Sequence, residues 1–351
     1  MSDVLAVNAV DLTKTFGPLT AVDHISLQVA QGEVYGVLGP NGAGKTTVLR
    51  MLFGLIRPDS GVLEVFGRSW PRDGVRTLDG VAGFIESPKL YPGLSGRRNL
   101  QLLAGLDGLD GATATRRVGE VLDTVDLLGR DREKVRGYSF GMRQRLGVAA
   151  ALLRAPRLLV LDEPANGLDP AGIRDMRALV KRLAGSGMTV LLSSHDMAEV
   201  EQICDDVTIM RTGQVVYHGS IAGLRDRAPA PAHRLTTTDD DRAATLAGAR
   251  GLEVEPAAGG LAVRGDEKAL DALIADLVGA GIGLRGLAMS ETPLEALFFM
   301  LTERPPTAPT VSSAPTAPTA PTAPTAPTAP TDPSAATADQ GRHAVTSGAR
   351  R

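Results

Sequence analysis

The sequence predicts an α/β domain built around a phosphate-binding loop, then a small α+β appendage and a disordered tail. Three observations carry that prediction. Up to about residue 222, β-like apolar runs alternate with amphipathic helical patterns. A glycine-rich stretch, GPNGAGKTT, joins an apolar run to a helical one. After residue 303 the chain turns into Pro/Thr/Ala repeats. The domain boundaries read from composition are 1–222, 223–303 and 304–351.

The bulk numbers narrow the function classes. A chain of 351 residues with 43% hydrophobic and 22% charged residues is ordinary for a globular protein. Lys+Arg 37 against Asp+Glu 40 gives a net charge of -3, and aromatics are 3%, so nothing argues for a nucleic-acid partner. Cys204 is the single cysteine, which excludes an internal disulfide framework and a cysteine-rich metal site and suits a reducing compartment. No apolar run approaches the ~18 residues of a membrane span, and MSDVLAVNAVDL lacks the pattern of a secretory signal. The expectation is a cytoplasmic protein.

The elements follow in chain order. VYGVL reads as a buried strand and TTVLRMLFGL as a helix; between them GPNGAGKTT, residues 39–47, fits GxxxxGK[ST] through Gly39, Gly44, Lys45 and Thr46. In such a loop the backbone of Gly39, Pro40, Asn41, Gly42, Ala43, Gly44, Lys45, Thr46 and Thr47 wraps a nucleotide's phosphates. Lys45 neutralises β- and γ-oxygens, and the Thr46 hydroxyl is a Mg²⁺ ligand.

YSFGMRQRL, residues 138–146, precedes the buried-helix run VAAALL. Ser139 is a good N-cap, whereas Gly141 costs about 1 kcal/mol against alanine in a helix. Taken alone the stretch reads as an ordinary capped core helix or as a phosphate-binding helix N-terminus. PRLLVLDEP, residues 156–164, places two carboxylates at the C-terminal end of a strand, where open α/β sheets bind ligands. Asp162 there suits the Mg²⁺ hydration shell, and Glu163 suits polarising the attacking water. MTVLLSSH ends another buried strand at His195, on the same sheet edge and within reach of a γ-phosphate; the other four histidines read as structural.

The appendage opens on the Pro/Ala break RDRAPAPAH. RLTTT, LEVEP and LAVRG read as short strands, and DEKALDALIADLVGAGI as a helix with Leu270, Leu273, Ile274 and Leu277 at helical spacing. In the tail, prolines at every third position from Pro315 to Pro330 match polyproline II and offer too little apolar surface to order the chain. A passive spacer is the expectation.

In their order, the phosphate loop, FIESPKLYPGLSGRRNL, YSFGMRQRL, LLVLDEPANGLDP and LLSSH resemble the ATP-binding subunits of ABC transporters over about residues 3–222. The resemblance implies a P-loop NTPase cassette with a mixed-sheet core, an antiparallel β subdomain and a helical subdomain. It implies ATP and Mg²⁺ as ligands, and Lys45, Glu163, His195 and Glu86 as the hydrolytic set. Phe16, in LTKTFG, matches the aromatic that stacks on adenine. Asp169, in NGLDP, matches the loop that links two nucleotide sites across a dimer. Glu86 stands where the family usually has a glutamine reaching Mg²⁺ and the water; a carboxylate remains a competent hard-cation ligand. YSFGM keeps the serine and second glycine of the usual LSGGQ, so Ser139 and Gly141 are expected to face the γ-phosphate held by another chain.

FIESPKLYPGL is similar to the antibiotic and lantibiotic exporter or immunity subset, and TPLEALFFML to C-terminal extensions in the family. The implied partners are a separate membrane permease, gripped near Glu86 and the helical region at roughly 90–155, and a second cassette, identical or different. The implied location is the cytoplasmic face of a membrane, through that permease. Two other readings predict features this sequence does not show. A regulatory or translation-associated ABC ATPase is favoured by tandem cassettes or a basic arm, and a chromosome- or repair-type one needs a long coiled-coil insertion.

Overall fold

The computed structural model describes residues 5–303. The elements run, in chain order, β1 (Leu5–Phe16), β2 (Leu19–Ala30), β3 (Val34–Leu38), α1 (Lys45–Leu52), β4 (Ser60–Val65), β5 (Arg68–Ser69), α2 (Trp70–Asp73) and β6 (Val81–Phe84). Then come α3 (Gly96–Leu106), α4 (Gly111–Thr124), α5 (Phe140–Leu152), β7 (Leu158–Asp162), α6 (Pro170–Gly185), β8 (Thr189–Ser194), α7 (Met197–Ile203), β9 (Asp206–Arg211), β10 (Gln214–Ser220) and α8 (Ile221–Arg225). The last are β11 (Ala232–Thr237), α9 (Asp240–Ala249), β12 (Glu253–Ala257), β13 (Gly260–Arg264), α10 (Glu267–Gly279), β14 (Leu284–Glu291) and α11 (Pro293–Glu303).

The core sheet has the order β10-β9-β3-β8-β7-β6, with β9 through β6 parallel and β10 antiparallel to β9. Every residue of β3, β7 and β8 is buried, as expected of strands covered on both faces. Their side chains alternate between two cores. Tyr35, Val37, Leu158, Val160 and Leu191 pack with α1, β1 and β2, whereas Leu38, Leu159, Leu161, Val190 and Leu192 pack with the helices of the opposite face. An antiparallel sheet, β2-β1-β4-β5, flanks the first core, and α3, α4 and α5 form the helical region. The fold is therefore the α/β class that the sequence implies, with its mixed and antiparallel sheets.

β11 through β14 form a separate antiparallel sheet, β12-β13-β11-β14, over α9 and α10. The βαββαβ order is a split βαβ arrangement with a small core of its own around Leu235, Val263, Leu273 and Leu277. The chain does not end there. α11, the TPLEALFFML segment read as the appendage's end, returns to the larger domain and buries Leu294, Leu297 and Phe298 in one cluster with Val200, Ile209 and Tyr217. Leu224, beyond residue 222, joins the same cluster. The compositional boundary thus cuts through one packed core. The tail reading for 304–351 lies outside the described residues.

Candidate nucleotide site

Helix starts fix the site. Eight helices, α3 to α10, begin with a side-chain cap, Ser139 of α5 and Asp169 of α6 among them. Thr292 and Glu295 cap α11 reciprocally. α1 begins instead at Gly44, with no side-chain cap. Its first N–H groups are left for an external acceptor, and the helix dipole favours an anion there. Gly44 is required twice over: its φ is +102, and a Cβ would lie 2.3 Å from the Ala21 carbonyl oxygen.

The side chains behind that loop converge. Lys45 is buried, and its Nζ donates to Gly39 O at 2.7 Å and lies 3.1 Å from Glu163 Oε1. Thr46 Oγ1 donates to Asp162 Oδ2 at 3.1 Å. Asp162, 2% exposed, also accepts from Ser193 Oγ at 2.5 Å and from Glu86 N at 3.3 Å. Ser193 Oγ in turn accepts from Glu163 N at 2.9 Å. The far oxygen of Glu163 meets His195 Nδ1 at 2.7 Å. The ends of β3, β7 and β8 thus bring Lys45, Thr46, Asp162, Glu163 and His195 into one network. Glu163 and Glu86 hold φ of +49 and +62, a left-handed backbone that non-glycine residues adopt at a cost of about 1–3 kcal/mol.

The donor set suits its expected ligands. Thr46 and Asp162 offer hard oxygens, and no group of three or more His, Cys, Asp or Glu among the described residues makes a protein-only metal cage. Magnesium held partly by substrate phosphates needs no such cage. Lys45, now spread over two carbonyls and a carboxylate, supplies the charge for phosphate oxygens.

Other sequence-read residues stand apart from that network. The Glu86 side chain is exposed and paired with Arg50 Nη2 at 2.6 Å. Phe16 ends β1, 48% exposed, with Lys14 Nζ 5.5 Å above its ring. Asn41 and Gly42 are exposed, while Pro40 and Thr47 are half-buried and Ala43 is buried. Ser139 Oγ accepts from Met142 N, and Asp169 Oδ1 from Gly172 N, each inside its own helix. Ser193 and Arg50 were not singled out in the sequence. SS in LLSSH signals a polar strand end, but nothing local ties Arg50 to Glu86, 36 residues away.

With this geometry, similarity to known proteins is informative. The family described as ABC transporter matches residues 22–166. A bacitracin transport ATP-binding protein of Bacillus licheniformis is 44% identical over 211 residues, 60% of this chain and 68% of that one. A lantibiotic transport ATP-binding protein of Streptococcus pyogenes is 37% identical over 214 residues, 60% of this chain and 90% of its own. Among solved structures, cbiO1 of Clostridium perfringens, part of the ABC transporter complex cbiONQ, aligns with a TM-score of 0.60 at 25% identity, covering 64% of this chain and 92% of that chain.

Proposed function

The chain belongs to the ATP-binding proteins of ABC transporters, and on that premise we propose that it powers a separate membrane permease exporting an antibiotic, a peptide or another hydrophobic compound. The cargo class rests on the bacitracin and lantibiotic transport named for its relatives. Its activity is ATP hydrolysis. The observation that carries the site is the Lys45–Glu163–His195 chain beside the Thr46–Asp162 pair, at the ends of three adjoining parallel strands.

When ATP enters, Lys45 leaves Glu163 for the phosphates. Glu163, freed and still beside His195, accepts a hydrogen bond from the attacking water. Mg²⁺, when bound, would supply Lewis-acid stabilisation of phosphate charge; Thr46 and Asp162 would hold it, and Glu86, whose carboxylate is paired with Arg50, would be a further oxygen ligand. Phe16, exposed at the end of β1, offers a face to adenine.

Ser139, Gly141 and Asp169 act on the nucleotide of a second cassette, identical or different, facing this one. ATP then favours the closed pair because it binds that state better, and opening after hydrolysis resets it. The exposed Tyr91, Leu102 and Leu106, near Glu86 and in α3, are apolar side chains suited to a permease surface. No helix among the described residues is long and apolar enough to cross a membrane.

Glu163→Gln tests the assignment. The variant is expected to bind ATP, hydrolyse it at least ~100-fold more slowly and elute as an ATP-dependent dimer. A variant that stays monomeric with ATP and turns over normally removes Glu163 from the mechanism.

A further inference from the structure

His195 is carried on a two-residue turn between β8 and α7, and that turn is anchored on both sides. Ser194 precedes it, its carbonyl accepting from Gly39 N at 3.2 Å. Asp196 follows it, its carboxylate accepting from Ala198 N at 2.8 Å as the cap of α7. One hydroxyl joins the anchors: Ser194 Oγ accepts from Asp196 N at 3.0 Å and donates to Glu199 Oε2 at 2.9 Å.

Glu199 is the unexpected member. It sits on α7 beside Met197 and Val200, which pack in the core, and is itself 9% exposed. Three residues after the cap, its carboxylate stands where a capping box would turn it onto Asp196 N. It bonds to Ser194 instead. Burial and the nearby Asp196 and Glu163 charges push its carboxyl above the usual range, opposed by the Ser194 hydrogen bond and the Arg177 guanidinium. Arg177 comes from α6, the helix capped by Asp169; its Nη1 donates to Gln202 Oε1, and its Nε is buried without a hydrogen-bond partner among the described residues. A carboxylate kept out of water with so few partners is poor stabilisation compared with an apolar side chain there.

We infer that Glu199 is a positioning residue, holding through Ser194 the turn that aims His195 at Glu163. The inference rests on the hydrolytic reading of that pair. The Arg177 charge, on α6, favours the ionised form of the same carboxylate through space. Glu199 touches no phosphate and no reacting atom; it acts by keeping the Nδ1 contact at 2.7 Å.

The test uses the full-length chain labelled with ¹⁵N-histidine, whose five histidines make the imidazole spectrum assignable. Without nucleotide, Glu199→Ala is expected to shift or broaden the His195 ring signals and leave the other four in place. With ATP it should lower kcat about 10- to 100-fold, as misplacing a catalytic group does, while KM changes less than about twofold. Glu199→Gln keeps an acceptor for Ser194, and is expected to restore the His195 signals and hold kcat within about threefold of the parent. Ser194→Ala cuts the same bond from its other end and must move the same ring signals; it serves if Glu199→Ala does not fold. Unmoved His195 signals in either alanine variant overturn the inference, as does a glutamine variant as impaired as alanine. Absence of ATP turnover in the parent chain is a failure of the hydrolytic reading instead, and the nucleotide-free spectra still decide the positioning role.

Discussion

Gly141→Ala separates stability from function at a single atom. Gly141 is the second residue of α5, after Phe140 and the cap Ser139, and its φ lies outside the left-handed region. A Cβ built there meets only Leu168 Cδ2, at 3.5 Å, an ordinary van der Waals contact. Within one chain, then, alanine fits. It should stabilise the helix by about 0.5–1 kcal/mol, less than the mid-helix difference because the site is in the first turn. A chain of this size would gain about 1–3 °C in thermal midpoint.

The expected cost falls elsewhere. A phosphate oxygen held by a backbone N–H sits about 2.9 Å from the nitrogen, and a methyl group beside that nitrogen obstructs the approach. Losing one charge-assisted hydrogen bond of about 1.5–3 kcal/mol lowers turnover about 10- to 100-fold. The assay pairs scanning calorimetry with ATP turnover and with nucleotide binding at low protein concentration, where the Lys45 loop acts alone. The expected triad is a higher midpoint, unchanged binding and depressed turnover. A stabilised variant with full turnover would refute the argument and return YSFGM to the role of a plain capped helix.

Two further predictions follow from buried groups. Glu33 is half-buried near Asp205 and Asp206, and burial first, then those charges, push its carboxyl from 4.5 to about 7. The folded state therefore holds this proton more tightly than the unfolded chain. The stabilisation is complete below pH ~4.5 and is lost as pH rises through ~7, amounting to about 1–2 kcal/mol after solvent screening. Glu33→Gln should flatten urea stability between pH 5 and 8; an unchanged slope would place the carboxyl near its ordinary range. Phe298 is 7% exposed in the same core cluster as Val200 and Ile209, so Phe298→Ala should lower stability by about 3 kcal/mol. The single tryptophan, Trp70, packs against Gly54 in the larger domain, and its fluorescence reports unfolding there. An unmoved Trp70 transition would mean that α11 is independent of that domain.

Much of the site was legible because phosphate binding is built from contiguous residues. A cradle of backbone N–H groups needs its glycines, lysine and threonine in one short run, and Gly39 to Thr47 supply them. Asp162, Glu163 and His195 were legible for a related reason: each terminates a run of buried strand residues, and parallel strands deliver their ends to one edge. The Ser139 cap was readable from local preference alone, whereas Asp169 emerges as a cap only in the structure.

What stayed hidden depends on which elements become neighbours. Arg50 and Glu86 are 36 residues apart, and their pairing follows from α1 lying beside the end of β6. TPLEALFFML is too uniformly apolar for periodicity to say which core it enters, and only the topology sends it past the appendage to α7 and β9. Glu199 is the sharpest case. Its sequence context, MAEVEQI, alternates apolar and charged residues as a surface helix does, so a glutamate there reads as solvated. Its burial arises because α7 is pressed between β3 and α6, where a Cβ at Gly36 would already touch Val200 at 3.1 Å. Residues that touch phosphate are constrained by sequence-local geometry and leave motifs. Residues that aim them are constrained only through packing, so their signature is a polar group in the wrong dielectric, visible once the neighbours are in place.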